Sequence, residues 1–110
     1  MSEWVVVLSP DFKSEVQKIH SYIANTLLVP ETALKQVHRI IDGVKSLKNM
    51  PLRFPLYEKE PWRSRGLRKL SVDNFIVFYW TNEKTGEVVV FHVFYGRQDI
   101  ENILNTNAKK

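Results

Sequence analysis

The 110-residue chain contains no cysteine, which excludes disulfide scaffolds, thiolate zinc sites and cysteine nucleophiles. No apolar run approaches the roughly 20 residues that a membrane-spanning helix needs. The start, Met1-Ser2-Glu3-Trp4, lacks the basic beginning and apolar core of a secretory signal, so the expectation is a cytoplasmic protein. The four glycines, Gly43, Gly66, Gly86 and Gly96, stand alone and form no phosphate-cradling loop. His20, His38 and His92 fall on separate elements without ligand spacing, and no metal or other cofactor is expected. Ser9, Ser14, Ser21 and Ser71 lack the context of a nucleophile elbow. Repeats, linkers and low-complexity tracts are also missing. The expectation is one domain, 1–110, large enough to bury a core without staples.

What is present is organised around the last third. The runs Gly66–Trp80 and Glu87–Asp99 are rich in Val, Phe and Tyr, and Thr81 to Gly86 supply turn residues between them, which predicts a hairpin. Phe75 to Trp80 are apolar at every position, as in a central strand covered on both faces. His92 alternates with Val90 and Phe94, which predicts that it shares their face and is buried or half-buried. Upstream of the central strand, a further strand begins at Gly66, with Arg68, Leu70 and Val72 sharing one face, and a tight turn at Asp73-Asn74 joins it to the central strand.

The first half supplies cover for this sheet. Trp4 to Leu8 is too short for a helix and reads as a strand. Ser9 is a good N-cap with Pro10 in the first helical position. Phe12, Val16, Ile19, Ile23 and Leu27 make one helical stripe, predicting a helix from about Pro10 to Leu27. Pro30 opens a second, with Ala33, Val37, Ile40, Ile41, Val44 and Leu47 on one face and a stop at Met50-Pro51. Gly43 costs this helix about 1 kcal/mol of propensity, and a close approach to the first helix would account for it. A short terminal helix, Arg97 to Asn105, is expected after the last strand. The fold class is α+β: an N-terminal strand, an antiparallel two-helix hairpin, an antiparallel three-stranded meander in one sheet and a short C-terminal helix.

Charge is localised. Between Lys45 and Leu70 eight basic residues face only Glu58 and Glu60, so this segment carries +6 of a chain whose net charge is +4. Such a segment fits a nucleic acid, a phosphate-rich target or an acidic protein, or else is a solvated loop. Leu52 to Ser64 combines Pro55 and Pro61 with isolated aromatics and reads as a long loop, a common place for function. Within it Trp62, with Arg63 and Arg65, has the composition of a target-binding or base-stacking site. Aromatics such as Trp62 and Tyr57 more often pin a loop to its own domain.

The stretches LSPDFKSEVQKIHSYI, IIDGVKSLKNMP, LRKLSVDNFIVFYW and VVVFHVFYGRQD, in this order, resemble the RelE/ParE superfamily of bacterial toxins over roughly Val5 to Leu104. The resemblance implies the toxin of a type II toxin–antitoxin pair, held in a hetero-oligomer by a cognate antitoxin that wraps an extended, often acidic segment over it. Two activities occur in the superfamily: RelE-like members cleave mRNA on the ribosome, and ParE-like members poison DNA gyrase. A third possibility is a member that has lost toxicity and only binds antitoxin.

Metal-independent RNA cleavage by the 2′-OH needs a base, an acid and positive charge for the phosphorane. Arg68, Lys69 and Arg97 occupy stretches where RNA-cleaving relatives keep basic catalytic residues, and with Tyr95 they are the catalytic candidates of a RelE-like reading. They converge only if their strands bring them to one end of the sheet. Glu58 and Glu60 are possible bases without an evident anchor. The chain departs from the RNA-cleaving pattern: Gly96-Arg97 replaces a His-Tyr pair, and the C-terminal segment has no tyrosine. The balance falls to a ParE-like gyrase inhibitor, which needs a binding surface and no catalytic dyad.

Overall fold

A computed structural model of the chain describes residues 4–96 and Leu104. Strand β1 (Val5–Leu8) leads into helix α1 (Pro10–Ser21), which continues through a π-helical turn, Tyr22–Thr26. As expected from the sequence, Ser9 caps α1: its Oγ accepts a hydrogen bond from the Phe12 N–H at 3.0 Å, and Pro10 fills the first position, where no N–H is needed. Leu28, at φ +59°, turns the chain. Helix α2 (Pro30–Lys45) then runs into two short 3₁₀ turns, Ser46–Lys48 and Pro51–Arg53. Three strands follow, β2 (Arg68–Val72), β3 (Phe75–Asn82) and β4 (Glu87–Tyr95).

The sheet order is β1-β4-β3-β2. The meander pairs antiparallel, while β1 lies parallel to β4, with Val5 beside Glu87 and Leu8 beside Val90. Alternation along β3 divides its side chains between two cores. Val77 and Tyr79 join Phe12, Ile40, Val44, Leu47 and Leu70 under the helices. Phe78 joins Tyr57, Trp62, Leu67, Phe94 and Leu104 on the other face. The central strand is therefore covered on both faces, by the helix hairpin and by the loop before β2. Of the expected terminal helix only Leu104 is described, helical and buried; the rest lies outside the described residues.

Two local expectations are corrected. A Cβ on Gly43 would stand 3.0 Å from Val72 Cγ2 and 3.3 Å from Leu70 Cδ2, so the close approach at this glycine is to β2 and not to the first helix. Opposite β4, Phe78 pairs with His92 but Tyr79 pairs with Val90, leaving Phe91 as the extra residue of a β-bulge. The bulge breaks the alternation on which the expectation for His92 rested. His92 is buried, as expected, but shares only the face of Phe94, on which it stacks with rings 4.9 Å apart, while Val90 packs under the helices.

The bulge sits where β1 ends, and α1 compensates. Ser9 Oγ donates to the Phe91 carbonyl at 2.6 Å. One carboxylate oxygen of Glu15 accepts from the Val93 N–H at 2.9 Å, and the other lies 2.9 Å from His92 Nδ1. Thus a cap residue and a helix carboxylate replace the strand partner that β4 has lost. The turn between β2 and β3 is also tied down: Asp73, at φ +54°, takes both arms of Arg39 at 2.7 Å and the Gln36 amide at 3.1 Å.

Candidate functional site

The basic segment folds as a compact patch stitched to β2. Tyr57 N–H donates to the Leu67 carbonyl at 2.7 Å, Lys69 N–H to the Pro55 carbonyl at 3.1 Å, and a turn closes through Arg63 to Lys59 and Leu67 to Trp62. Trp62 and Tyr57 are buried, Tyr57 edge-on to Phe78 at 5.4 Å. Trp62 anchors this patch, with 8% of its surface exposed, and the guanidinium of Arg65 lies 5.3 Å from its ring centre. Arg63 and Arg65 are themselves exposed.

The basic residues at the start of β2 are engaged with their own loop. Arg68 Nη1 donates to the carbonyls of Phe54 at 2.6 Å and Leu52 at 3.3 Å. Lys69 Nζ lies 2.8 Å from Glu58 and 6.0 Å from the Tyr57 ring centre. The hydrogen bond from Lys69 holds the Glu58 carboxyl below the usual carboxylate range. Glu60 is held below it too, by the Ser64 hydroxyl first and the Ser64 N–H second, at 2.8 and 2.9 Å. Both glutamates have anchors that the sequence did not reveal. Deeper in, Tyr79 donates its hydroxyl to the Pro51 carbonyl at 2.6 Å, and burial pushes its phenol up to about 12.

Tyr95 is elsewhere. Arg68 is in register with Tyr79 in the middle of β3, but Tyr95 is in register with Phe75, its first residue. Four residues along the strand and two strand spacings across separate them by roughly 16 Å. The catalytic candidates thus do not meet at one end of the sheet as far as they are described; Arg97 lies outside the described residues. Tyr95 packs edge-on against Phe75 at 5.8 Å and borders a groove of about 750 Å³ lined also by Ile19, Tyr22, Ile23, Leu27 and Lys18. At the groove's end, the tip of the helix hairpin leaves Tyr22, Leu27, Leu28 and Val29 exposed, Leu28 to 77%. No charged residue occurs from Tyr22 to Pro30. The tip and the groove together form an extended apolar surface.

Glu15 escaped the sequence reading. Its signal was present: three residues after Phe12 and four before Ile19, it sits on the inward stripe of α1, where a carboxylate needs a partner.

An α+β sheet with a parallel first and last strand, a helix hairpin on one face and a basic loop on the other is the architecture of RelE/ParE-like toxins. The family model for the ParE toxin of the type II toxin–antitoxin system parDE matches residues 6–100, and the chain belongs to that family. Among solved structures it is similar to the chromosomal ParDE system of P. aeruginosa, with a TM-score of 0.70, 20% identity, and 84% of this chain and 96% of that one covered. It is similar also to the RelBE2 toxin–antitoxin complex of Mycobacterium tuberculosis (TM-score 0.60, 14% identity, 86% and 99% covered). The archaeal RelE–RelB complex of Pyrococcus horikoshii OT3 gives 0.59, 12%, 88% and 99%. At these identities the structures bear on the fold alone. A search of the curated proteins returns no match.

Proposed function

We propose that this toxin acts by binding, as an inhibitor of DNA gyrase, and that a cognate antitoxin neutralises it. The observation that carries the reading is the commitment of Arg68 and Lys69 to the loop carbonyls and Glu58, with Tyr95 several residues away along the sheet, beside Phe75. Groups spent on holding a loop are poorly placed to stabilise a phosphorane, and a binding toxin needs no acid and base. Exposed Arg63 and Arg65, held at a fixed spacing by the Trp62 anchor, are the cationic contacts offered to the target. The neutral hairpin tip and the groove reaching Tyr95 suit the apolar face of an antitoxin segment.

The decisive experiment adds purified toxin to two reactions, gyrase supercoiling of relaxed plasmid and translation on isolated ribosomes with end-labelled mRNA. Loss of supercoiling with intact mRNA is the expected result. Cleaved mRNA with unaffected gyrase would replace this reading by the RelE-like one, and no effect in either would leave an antitoxin-binding protein without toxicity.

A further inference from the structure

The two edges of the sheet are treated differently. The outer edge of β2 carries Arg68 and Lys69 and is partly covered by the loop, through the Lys69–Pro55 hydrogen bond and a bridge between Leu56 and Arg68. Both are devices that keep an edge from pairing further. The outer edge of β1 has neither charge, proline nor bulge: its sequence is Val-Val-Val-Leu. Val5 N–H bonds Gly86 and Ser9 N–H bonds Val90, both at 2.9 Å, so the odd-numbered backbone groups serve β4. Those of Val6 and Leu8 face away from the sheet, and no backbone partner for them occurs among the described residues. Val5 and Val7, on the face away from the helices, are 59% and 38% exposed.

We infer that β1 is a self-association edge, whose occupant is β1 of a second copy of this chain. One antiparallel register uses all free groups. With Val6 opposite Leu8 of the second copy, each such pair exchanges two hydrogen bonds, and Val7 meets Val7 of the second copy on the dyad. Registers one pair away require the Trp4 N–H, which already reaches the Lys48 carbonyl at 3.4 Å, or Pro10, which has no N–H. Charge agrees with this arrangement. Exposed Lys48 lies beside Trp4 at one end of β1 and exposed Asp11 begins α1 at the other. The dyad sets Lys48 of each copy toward Asp11 of its mate. A parallel arrangement would set like charges together. The result is a continuous eight-stranded sheet in which Val5 and Val7 are covered.

The absence of cysteine makes the register directly testable. Val7 pairs with its mate at a non-hydrogen-bonded position, where Cα atoms stand about 4.5 Å apart, within disulfide reach. Val5 lies opposite Ser9 of the second copy, so two Val5 positions are separated by roughly 14 Å. Purified Val7→Cys, oxidised with glutathione disulfide, is expected to give a covalent dimer, and Val5→Cys to form no intermolecular disulfide. Sedimentation of the unmodified chain should show a concentration-dependent dimer. Lys48→Glu should weaken it about tenfold, with recovery in Lys48→Glu/Asp11→Lys, since opposite charges are restored. These surface changes leave the core intact, so a folding defect cannot imitate the result. A chain that stays monomeric throughout, equal cross-linking at both positions, or no recovery in the double variant overturns the inference. So does an edge that accepts only a strand of the antitoxin.

Discussion

Replacing Gly43 by alanine sets two opposed effects against each other inside α2. Alanine gains about 0.8–1 kcal/mol of helix propensity. Its Cβ would meet Val72 Cγ2 at 3.0 Å and Leu70 Cδ2 at 3.3 Å, inside the optimal carbon–carbon separation of about 3.5–4.0 Å. Val72 is β-branched and stiff at χ1, Leu70 is buried, and the turn beyond them is pinned to α2 by Asp73. The strand must therefore shift as a unit, and overpacking of this kind costs about 1–3 kcal/mol. The net expectation is a loss of about 1 kcal/mol, measured by urea unfolding. Val72→Ala removes the closer atom, so in that background Gly43→Ala should become neutral or stabilise by up to about 1 kcal/mol, giving a clear coupling in the double-mutant cycle. Stabilisation by Gly43→Ala in the otherwise unchanged chain, with no coupling to Val72, would refute the packing argument.

Other expectations follow from the polar contacts of the fold. Glu15→Ala strands the Val93 N–H at the bulge and should cost about 1–3 kcal/mol, with faster amide exchange at Val93; Glu15→Gln, whose carbonyl still accepts that bond, should recover most of the loss. Tyr79→Phe removes the donor to Pro51 and should lower stability by about 1–1.5 kcal/mol, read as a shifted urea midpoint at unchanged slope. Arg68→Ala releases the Leu52 and Phe54 carbonyls, and a cost of about 1–2 kcal/mol is expected; full stability combined with lost toxicity would instead mark Arg68 as a contact to the target. The Asp73 carboxyl is held below its ordinary value by the hydrogen bond from Arg39, then by that from Gln36. A carboxyl depressed in the folded state contributes stability above its unfolded pKa and loses it as pH falls through the folded value. The difference in urea midpoint between Asp73→Asn and the parent chain should accordingly be present at neutral pH and vanish in strong acid.

Much of the architecture was legible because local signals agreed with one another. Ser9-Pro10 and Pro30 mark helix starts by chemistry that depends on adjacent residues alone. The stripes of the two helices and the unbroken apolar run of β3 state which faces are buried. The bulge at Phe91 was not legible, because it arises where β1 stops short of the end of β4, a fact about two segments some 80 residues apart. Its consequence, the displaced face of His92, followed from the same blindness. Gly43 was read as a point of close approach, but the approaching element was misassigned since periodicity says how a helix is buried and not against what. For the site, the positive charge was evident and its use was not. Whether Arg68 holds carbonyls or meets a phosphate depends on where Leu52 and Phe54 come to lie, and no spacing rule carries that information.

The pairing of the first strand with the last has a consequence for synthesis. A ribosome delivers β1 and both helices long before β4, and among the described strands β1 pairs only with β4, so until β4 emerges none of them lies beside β1. The apolar stripes of the helix hairpin stay uncovered until β2 and β3 supply Leu70, Val77 and Tyr79, and contacts this distant in sequence close slowly. A nascent or prematurely terminated chain is therefore an unfinished toxin, and the interval before closure is one in which a partner already present in the cell can meet the exposed hairpin first.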